Sequence, residues 1–217
     1  MPAFFSPRPR RAPGVWPNRG AVLQRILVTG FEPFGGADVN ASQKLVEALS
    51  SEPPDGVELA TAVLPVVWAR AADEVARALE RARPELVVCF GQADGRAHVE
   101  VERFALNFDD GSDDEGEKRR AEIAAGAPVA YRSSLPVDAV VDALRAEGIP
   151  AAASRDAGGF LCNHVFYVLM RALEERTGVR GGFVHVPLLP EQALERAAPT
   201  MPLATLVRAA RTILATA

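Results

Sequence analysis

The sequence predicts a three-layer α/β/α sandwich built on a mainly parallel, mixed sheet. Three observations predict it. The runs Ile26-Leu-Val-Thr-Gly30, Leu86-Val-Val-Cys-Phe-Gly91 and Gly182-Phe-Val-His-Val186 are short and apolar, as strands buried on both faces are. Amphipathic helical stretches separate such runs, and strand–helix alternation requires crossovers that cover both faces of a parallel sheet. The chain of 217 residues, 48% hydrophobic and 24% charged, has the size and composition of one globular domain.

The elements follow in order. The first strand is Ile26 to Gly30, and the loop Phe31 to Asn40 carries Pro33, Gly35 and Gly36. Asn40 with Gln43 three residues on resembles a capping box and opens a helix to Leu49. Val57 to Pro65 is a second strand. Trp68 to Ala82 places Ala72, Val75, Ala76 and Leu79 on one helical face and stops before Pro84. Leu86 to Gly91 is a buried strand, and His98 to Phe108 is extended and mixed in polarity. A helix starting at Pro136 runs to Glu147 and is closed by Gly148. Ala151 to Ser154 is a short strand. Asn163 to Thr177 is a helix with Val165, Leu169 and Leu173 on one stripe, ended by Gly178. Gly182 to Val186 is the last strand and Leu203 to Thr216 a terminal amphipathic helix.

Two segments stand apart. Residues 1–25 hold Arg8, Arg10, Arg11, Arg19 and Arg25, with five prolines and no acid. Residues 1–24 are therefore expected to be a basic, proline-rich, disordered tail, without the apolar core of a secretory signal. A single domain is expected over 25–217. The run Asp109-Asp-Gly-Ser-Asp-Asp-Glu-Gly-Glu117 reads as a solvated loop. It lacks the glycine and glutamate spacing of a calcium loop.

Composition excludes several functions. No stretch approaches the ~20 apolar residues of a membrane span. A formal net charge of −4 gives no reason to expect nucleic acid. Cys89 and Cys162 are too few for a disulfide framework. The loop Thr29-Gly-Phe-Glu-Pro-Phe-Gly-Gly36 lies where α/β proteins carry ligands, but it is neither a dinucleotide fingerprint nor a phosphate loop.

Cys162 is the candidate nucleophile. It follows Gly158-Gly159 at a helix start, where unpaired N–H groups and the dipole favour a thiolate and can hold an oxyanion. Cys89, inside an apolar strand, is expected to be inert. His164 is two residues from Cys162, on a different helix face, and His98 is expected to be solvated. His185 sits between Val184 and Val186 near a strand's carboxyl end, where sheet enzymes place catalytic groups. Cys162, His164 and His185 match no common zinc spacing. For an orienting acid, Glu100, Glu102 and Asp109 compete.

Taken together, Leu27-Val-Thr-Gly-Phe-Glu-Pro-Phe-Gly-Gly36, Gly91-Gln-Ala-Asp-Gly-Arg96, Glu102-Arg-Phe-Ala-Leu-Asn107, Phe160-Leu-Cys-Asn-His164, Gly182-Phe-Val-His-Val-Pro187 and Leu189-Pro-Glu-Gln192 resemble the pyroglutamyl peptidase I (pyrrolidone-carboxylate peptidase) family. The motifs occur in the family's order over residues 25–217. The resemblance implies a phosphorylase/hydrolase-like α/β/α fold. It implies a cytoplasmic cysteine peptidase that removes N-terminal pyroglutamate from peptides, acts as a homo-oligomer (dimer or tetramer) and uses no metal or cofactor. It implies Cys162 as nucleophile, His185 as base and Glu102 as the orienting acid. Phe31 and Phe34 match residues that sandwich the lactam ring, and Gln92, Phe160 and Leu161 match other pocket positions.

The segment 108–115 departs from the family's usual Ala-Asp-Ala-Arg-Ile-Pro-Asp-Asn-like stretch, losing its Arg and Ile. Asp94 and Gly159 replace a usual Gly and Thr. These departures leave two further readings: a hydrolase of another cyclic amide, or a catalytically weak paralogue that binds a lactam or a protein.

Overall fold

The structure is a computed structural model that describes residues 23–217. The tail expected over 1–24 lies outside the described residues except for Leu23 and Gln24, and Gln24 already begins the first strand. The elements are β1 (Gln24–Phe31), α1 (Ala41–Ser51), β2 (Val57–Leu64), α2 (Trp68–Ala82), β3 (Leu86–Gln92), β4 (Val99–Glu102), β5 (Phe104–Leu106), β6 (Asp109–Ser112), β7 (Lys118–Ala121), β8 (Ala130–Arg132), α3 (Val137–Ala146), β9 (Ala151–Ser154), α4 (Leu161–Glu174), β10 (Arg180–Val186), a 3₁₀ turn (Pro190–Ala193) and α5 (Leu203–Thr216).

The main sheet has six strands in the order β2-β1-β3-β10-β4-β9. Every neighbouring pair is parallel except β10 with β4. The mixed, mainly parallel sheet is the expected one. Its two faces are covered separately. Ile26 and Val28 of β1, Val88 and Phe90 of β3 and Val184 and Val186 of β10 pack under α1, α3 and α5. Leu27, Val87, Cys89 and Phe183 pack under α2 and α4. Alternation along each strand thus fixes the face of every residue in it. His185, two residues from Phe183, shares its parity and so faces the α2/α4 layer.

Local signals account for the helix ends. Asn40 caps α1 by accepting from the Ser42 N–H at 2.9 Å. The reciprocal partner is Ser42 rather than Gln43: its hydroxyl donates to Asn40 Oδ1 at 2.7 Å and accepts from Phe31 N–H at 3.0 Å. Helix α2 ends at Arg83, which adopts a left-handed φ of 42° before Pro84. Helix α4 begins at Leu161, two residues earlier than the spacing predicts, because extended Phe160 closes the Gly158-Gly159 turn and serves as N-cap.

The acidic run is the solvated segment that its composition predicts only in part: Asp110, Asp114, Glu115 and Glu117 are exposed. Asp109 and Asp113 are buried, and the segment forms a β6–β7 hairpin. Two of its acids meet bases: Asp110 opposes Arg120, and Arg119 approaches Asp109 to 3.5 Å. Asp113 ties the hairpin to α2, whose own N-cap Val67 has no capping side chain. Asp113 Oδ2 accepts from Trp68 N–H at 3.2 Å, while Oδ1 accepts from Glu115 and Glu117 N–H at 3.1 and 2.8 Å. Replacing Asp113 by Ala strands three donors, so a loss of ~1–3 kcal/mol is expected in denaturant unfolding. A change within ~0.3 kcal/mol would contradict this capping role.

Candidate active site

Three chain segments converge at the carboxyl ends of β3 and β10. The first is the start of α4. His164 N–H bonds to Phe160 O at 3.1 Å, which leaves the N–H groups of Leu161, Cys162 and Asn163 without intrahelical acceptors. The second is β3, where Gly91 makes room for sulfur. A Cβ built on Gly91 would lie 2.7 Å from Cys162 Sγ and 2.7 Å from Phe183 Cζ. The third is β10, where His185 is the register partner of Gly91. Gly91 thus has the Cys162 sulfur packed on it and His185 beside it in the ladder. Gly91→Ala is expected to displace the Cys162 sulfur and cut hydrolysis by ~10²-fold or more. Unchanged kcat in that variant would show that the sulfur does not need this seat.

His185 Nδ1–H donates to Glu102 Oε1 at 2.8 Å. Both side chains are almost wholly buried, and this bond leaves Nε2 as the basic nitrogen. Arg96 Nη1 donates to the same Oε1 at 2.9 Å and to Glu100 Oε2 at 2.5 Å, and Nη2 donates to Asp156 O at 3.1 Å. Burial opposes the charge on Glu102, but the His185 and Arg96 contacts outweigh it and hold the carboxyl below the usual carboxylate range.

The Cys162 thiol departs from expectation. Burial pushes it up to about 12, the Glu102 carboxylate adds to the rise, and Arg96 opposes it. Desolvation beside Gly91 and Phe183 thus dominates. Cys89 is fully buried and burial raises its thiol to about 12 as well, in line with an inert core residue.

The remaining sequence candidates separate. His98 is exposed. His164 Nδ1–H donates to both Asp109 oxygens, at 3.0 and 2.9 Å, and its ring meets Trp68 edge-on at 5.4 Å. Asp109 is therefore occupied away from His185, and His164 anchors the hairpin to α4. Glu100 is occupied by Arg96. Among the described residues no group of three or more His, Cys, Asp or Glu side chains is arranged to hold a metal ion.

Beside Cys162 lies a small cavity of about 60 Å³, lined by Phe31, Phe34, Asn40, Val66, Gln92, Phe160, Leu161 and Cys162. All five residues expected in the pocket line it together with the candidate nucleophile. Phe160 is braced by Phe34 at 6.2 Å and by the edge of Trp68 at 5.3 Å. The hairpin supports this wall: a Cβ on Gly111 would come within 2.8 Å of Phe160 Cδ2, and Asp110 N–H donates to Gly159 O at 2.6 Å. It also reaches the glycine loop, where Gly35 N–H donates to Asp114 Oδ1 at 3.3 Å. Gly91 and Arg96 bound a motif quoted above but carry no assigned role there, and the hairpin anchors are not marked in the sequence at all. Gly91 and the anchors act through contacts distant in sequence, whereas Arg96 meets Glu100 and Glu102 four and six residues on.

An α/β sandwich with a cysteine at a helix start, beside a histidine held by a buried carboxylate, is the framework of a cysteine peptidase. A sequence model described as Pyroglutamyl peptidase matches residues 24–217. The chain belongs to the pyroglutamyl peptidase family. It is 43% identical over 192 residues to a pyrrolidone-carboxylate peptidase of Bacillus licheniformis, covering 87% of this chain and 89% of that one. It is 45% identical over 194 residues to a pyrrolidone-carboxylate peptidase of Gloeobacter violaceus, covering 88% and 95%. The crystal structure of pyroglutamyl peptidase I from Bacillus amyloliquefaciens superposes with a TM-score of 0.86 at 36% identity, covering 89% of this chain and 96% of that one. The pyrrolidone carboxyl peptidase from Thermococcus litoralis gives 0.84 at 34% identity, covering 88% and 92%.

Proposed function

We propose that this protein is a cysteine peptidase that removes N-terminal pyroglutamate from peptides, with Cys162 as nucleophile, His185 as general base and Glu102 as the acid that orients it. The observation that carries the reading is the apolar slot of Phe31, Phe34, Phe160 and Leu161 opening directly on Cys162. A lactam has no charged amino group, so such a slot accepts it and rejects an ordinary ammonium terminus, whose desolvation goes uncompensated.

The proposed chemistry runs as a thiol acyl transfer. His185 Nε2 removes the thiol proton as Cys162 Sγ attacks the pyroglutamyl carbonyl carbon. Glu102, held ionised and bonded to Nδ1, stabilises the resulting imidazolium. The free N–H groups at the start of α4 lie where the oxyanion forms. The imidazolium then protonates the leaving amine. Water, deprotonated by His185, attacks the thioester and releases pyroglutamate and the free thiol.

The changed segment 108–115 does not favour the two other readings. It builds the hairpin that braces Phe160 and the glycine loop, and the relatives are named as pyrrolidone-carboxylate peptidases. The domain is read as residues 25–217 together with Gln24, which opens β1. No helix among the described residues is long and apolar enough to cross a membrane. A cytoplasmic location is proposed from the family. So is a homo-oligomer, supported by the exposed apolar side chains Phe104, Leu106, Phe108 and Val129 on and beside the β5–β8 pair.

The test is release of a fluorophore from a pyroglutamyl amide by the purified protein. Activity on it above that on prolyl and glutaminyl amides is expected. Equal or absent activity would overturn the substrate assignment.

A further inference from the structure

We infer that Gln192 is a positioning residue for substrate selectivity: it fixes the Gln92 amide so that its NH2 group faces the ring slot and reads a carbonyl oxygen of the bound ring. The inference rests on reading that slot as the seat of a pyroglutamyl ring.

A side-chain amide can be turned either way, and only partners of fixed character decide which end is oxygen. Here backbone groups of fixed character stand at both ends of a short relay. Leu189 N–H donates to Gln192 Oε1 at 2.9 Å, so the other end of that amide is its nitrogen. Gln192 Nε2 donates to Val39 O at 3.0 Å and to Gln92 Oε1 at 2.8 Å. Ala41 N–H donates to the same Gln92 Oε1 at 2.7 Å. Both acceptor positions of that oxygen are thus taken, by two donors that tolerate no inversion.

The consequence falls on the other end of Gln92. Its Nε2 has no partner among the described residues, and Gln92 lines the cavity with Phe31, Phe34, Phe160 and Leu161. The other side-chain amide of the lining, Asn40, is spent on Glu32 O and Ser42 N–H, so an oriented Gln92 donor on this largely apolar wall matches a ring bearing a carbonyl oxygen. It gives nothing to a hydrocarbon ring of the same size, whose binding would leave the donor desolvated and unpaired. Gln192 itself lies outside the lining, in the 3₁₀ turn after β10. It touches the slot only through Gln92 and Val39, next to Asn40.

The experiment compares hydrolysis of a pyroglutamyl amide and of the matching cyclopentanecarbonyl amide, in the wild type and in Gln192→Met, Gln192→Glu, Gln92→Met and the double variant Gln192→Met/Gln92→Met. Gln192→Met keeps the length and removes the relay. Gln192→Glu can still accept from Leu189 N–H but cannot donate to Gln92, so it serves where the methionine variant folds poorly. Each Gln192 variant is expected to raise KM for the pyroglutamyl amide ~10-fold, with kcat within ~2-fold and an unchanged pH profile. Preference over the carbocyclic amide should fall by the same factor. The double variant should be no worse than Gln92→Met alone, because the two residues act as one unit.

An unchanged KM in the Gln192 variants overturns the inference, as do single effects that multiply in the double variant. A fall in kcat with a lowered melting temperature but preserved preference for the lactam overturns it too, since that marks a merely structural turn. A wild type without activity on the pyroglutamyl amide overturns the proposed function, and this inference with it.

Discussion

Cys162→Ser is expected to lower kcat for a pyroglutamyl amide by ~10⁴-fold or more while leaving the fold intact. Losing a nucleophile costs this much because the residues acting with it have nothing left to activate. A serine hydroxyl at the same place is a far weaker nucleophile, and the surroundings already resist ionisation. Burial and the Glu102 carboxylate push up even the more acidic thiol. Cys89→Ser is the control. Its site lies on the same sheet face but is sealed in the core, with Thr29 beside it. Thr29 Oγ1, without a hydrogen-bond partner among the described residues, is at hand for the new hydroxyl. That variant should lose a little stability, ~1–2 kcal/mol, and keep kcat within ~3-fold. Activity in Cys162→Ser close to that of the wild type would refute the mechanism.

Glu102→Gln is expected to lower turnover ~10²-fold or more, with KM little changed, because the loss is felt when the imidazolium forms. The amide keeps the shape and removes the charge. Glu100→Gln should cost less than ~10-fold, since Glu100 meets Arg96 and not His185. The pH dependence has a definite sign. The Glu102 carboxyl is lowered in the folded protein, so its contribution to stability is complete above the ordinary carboxylate pKa. It is lost only as the pH falls through the lowered folded value. Glu102→Gln should therefore flatten the acid limb of the wild-type stability curve, read as melting temperature against pH. The reverse ranking, with Glu100→Gln crippling and Glu102→Gln nearly silent, would move the orienting role to Glu100.

That pair of acids shows where sequence stops and tertiary structure begins. Alternation along β4 places Glu100 and Glu102 on one face, and the same rule puts His185 and Gly91 on that face of β10 and β3. What alternation does not give is which strands are neighbours. Strand β4 lies antiparallel beside β10 with Glu100, not Glu102, directly opposite His185. A long side chain reaches its diagonal neighbour in such a ladder, and Arg96 engages Glu100 and leaves Glu102 for the imidazole.

The acidic hairpin makes the same point. Six acids in nine residues look solvated, because composition says nothing of Lys118, Arg119 and Arg120 across the turn or of the uncapped start of α2.

Strand and helix periods, the glycine loop and the helix-start cysteine are local properties, legible within a dozen residues, and they determined the layers, the face of each candidate and the nucleophile. The allocation of charges, the seat of sulfur on Gly91 and the relay from Gln192 to Gln92 were decided only by the folded chain. They join residues far apart in sequence, 83 positions for His185 and Glu102 and 100 for Gln192 and Gln92, and no local pattern encodes which of several competing partners comes within hydrogen-bonding distance.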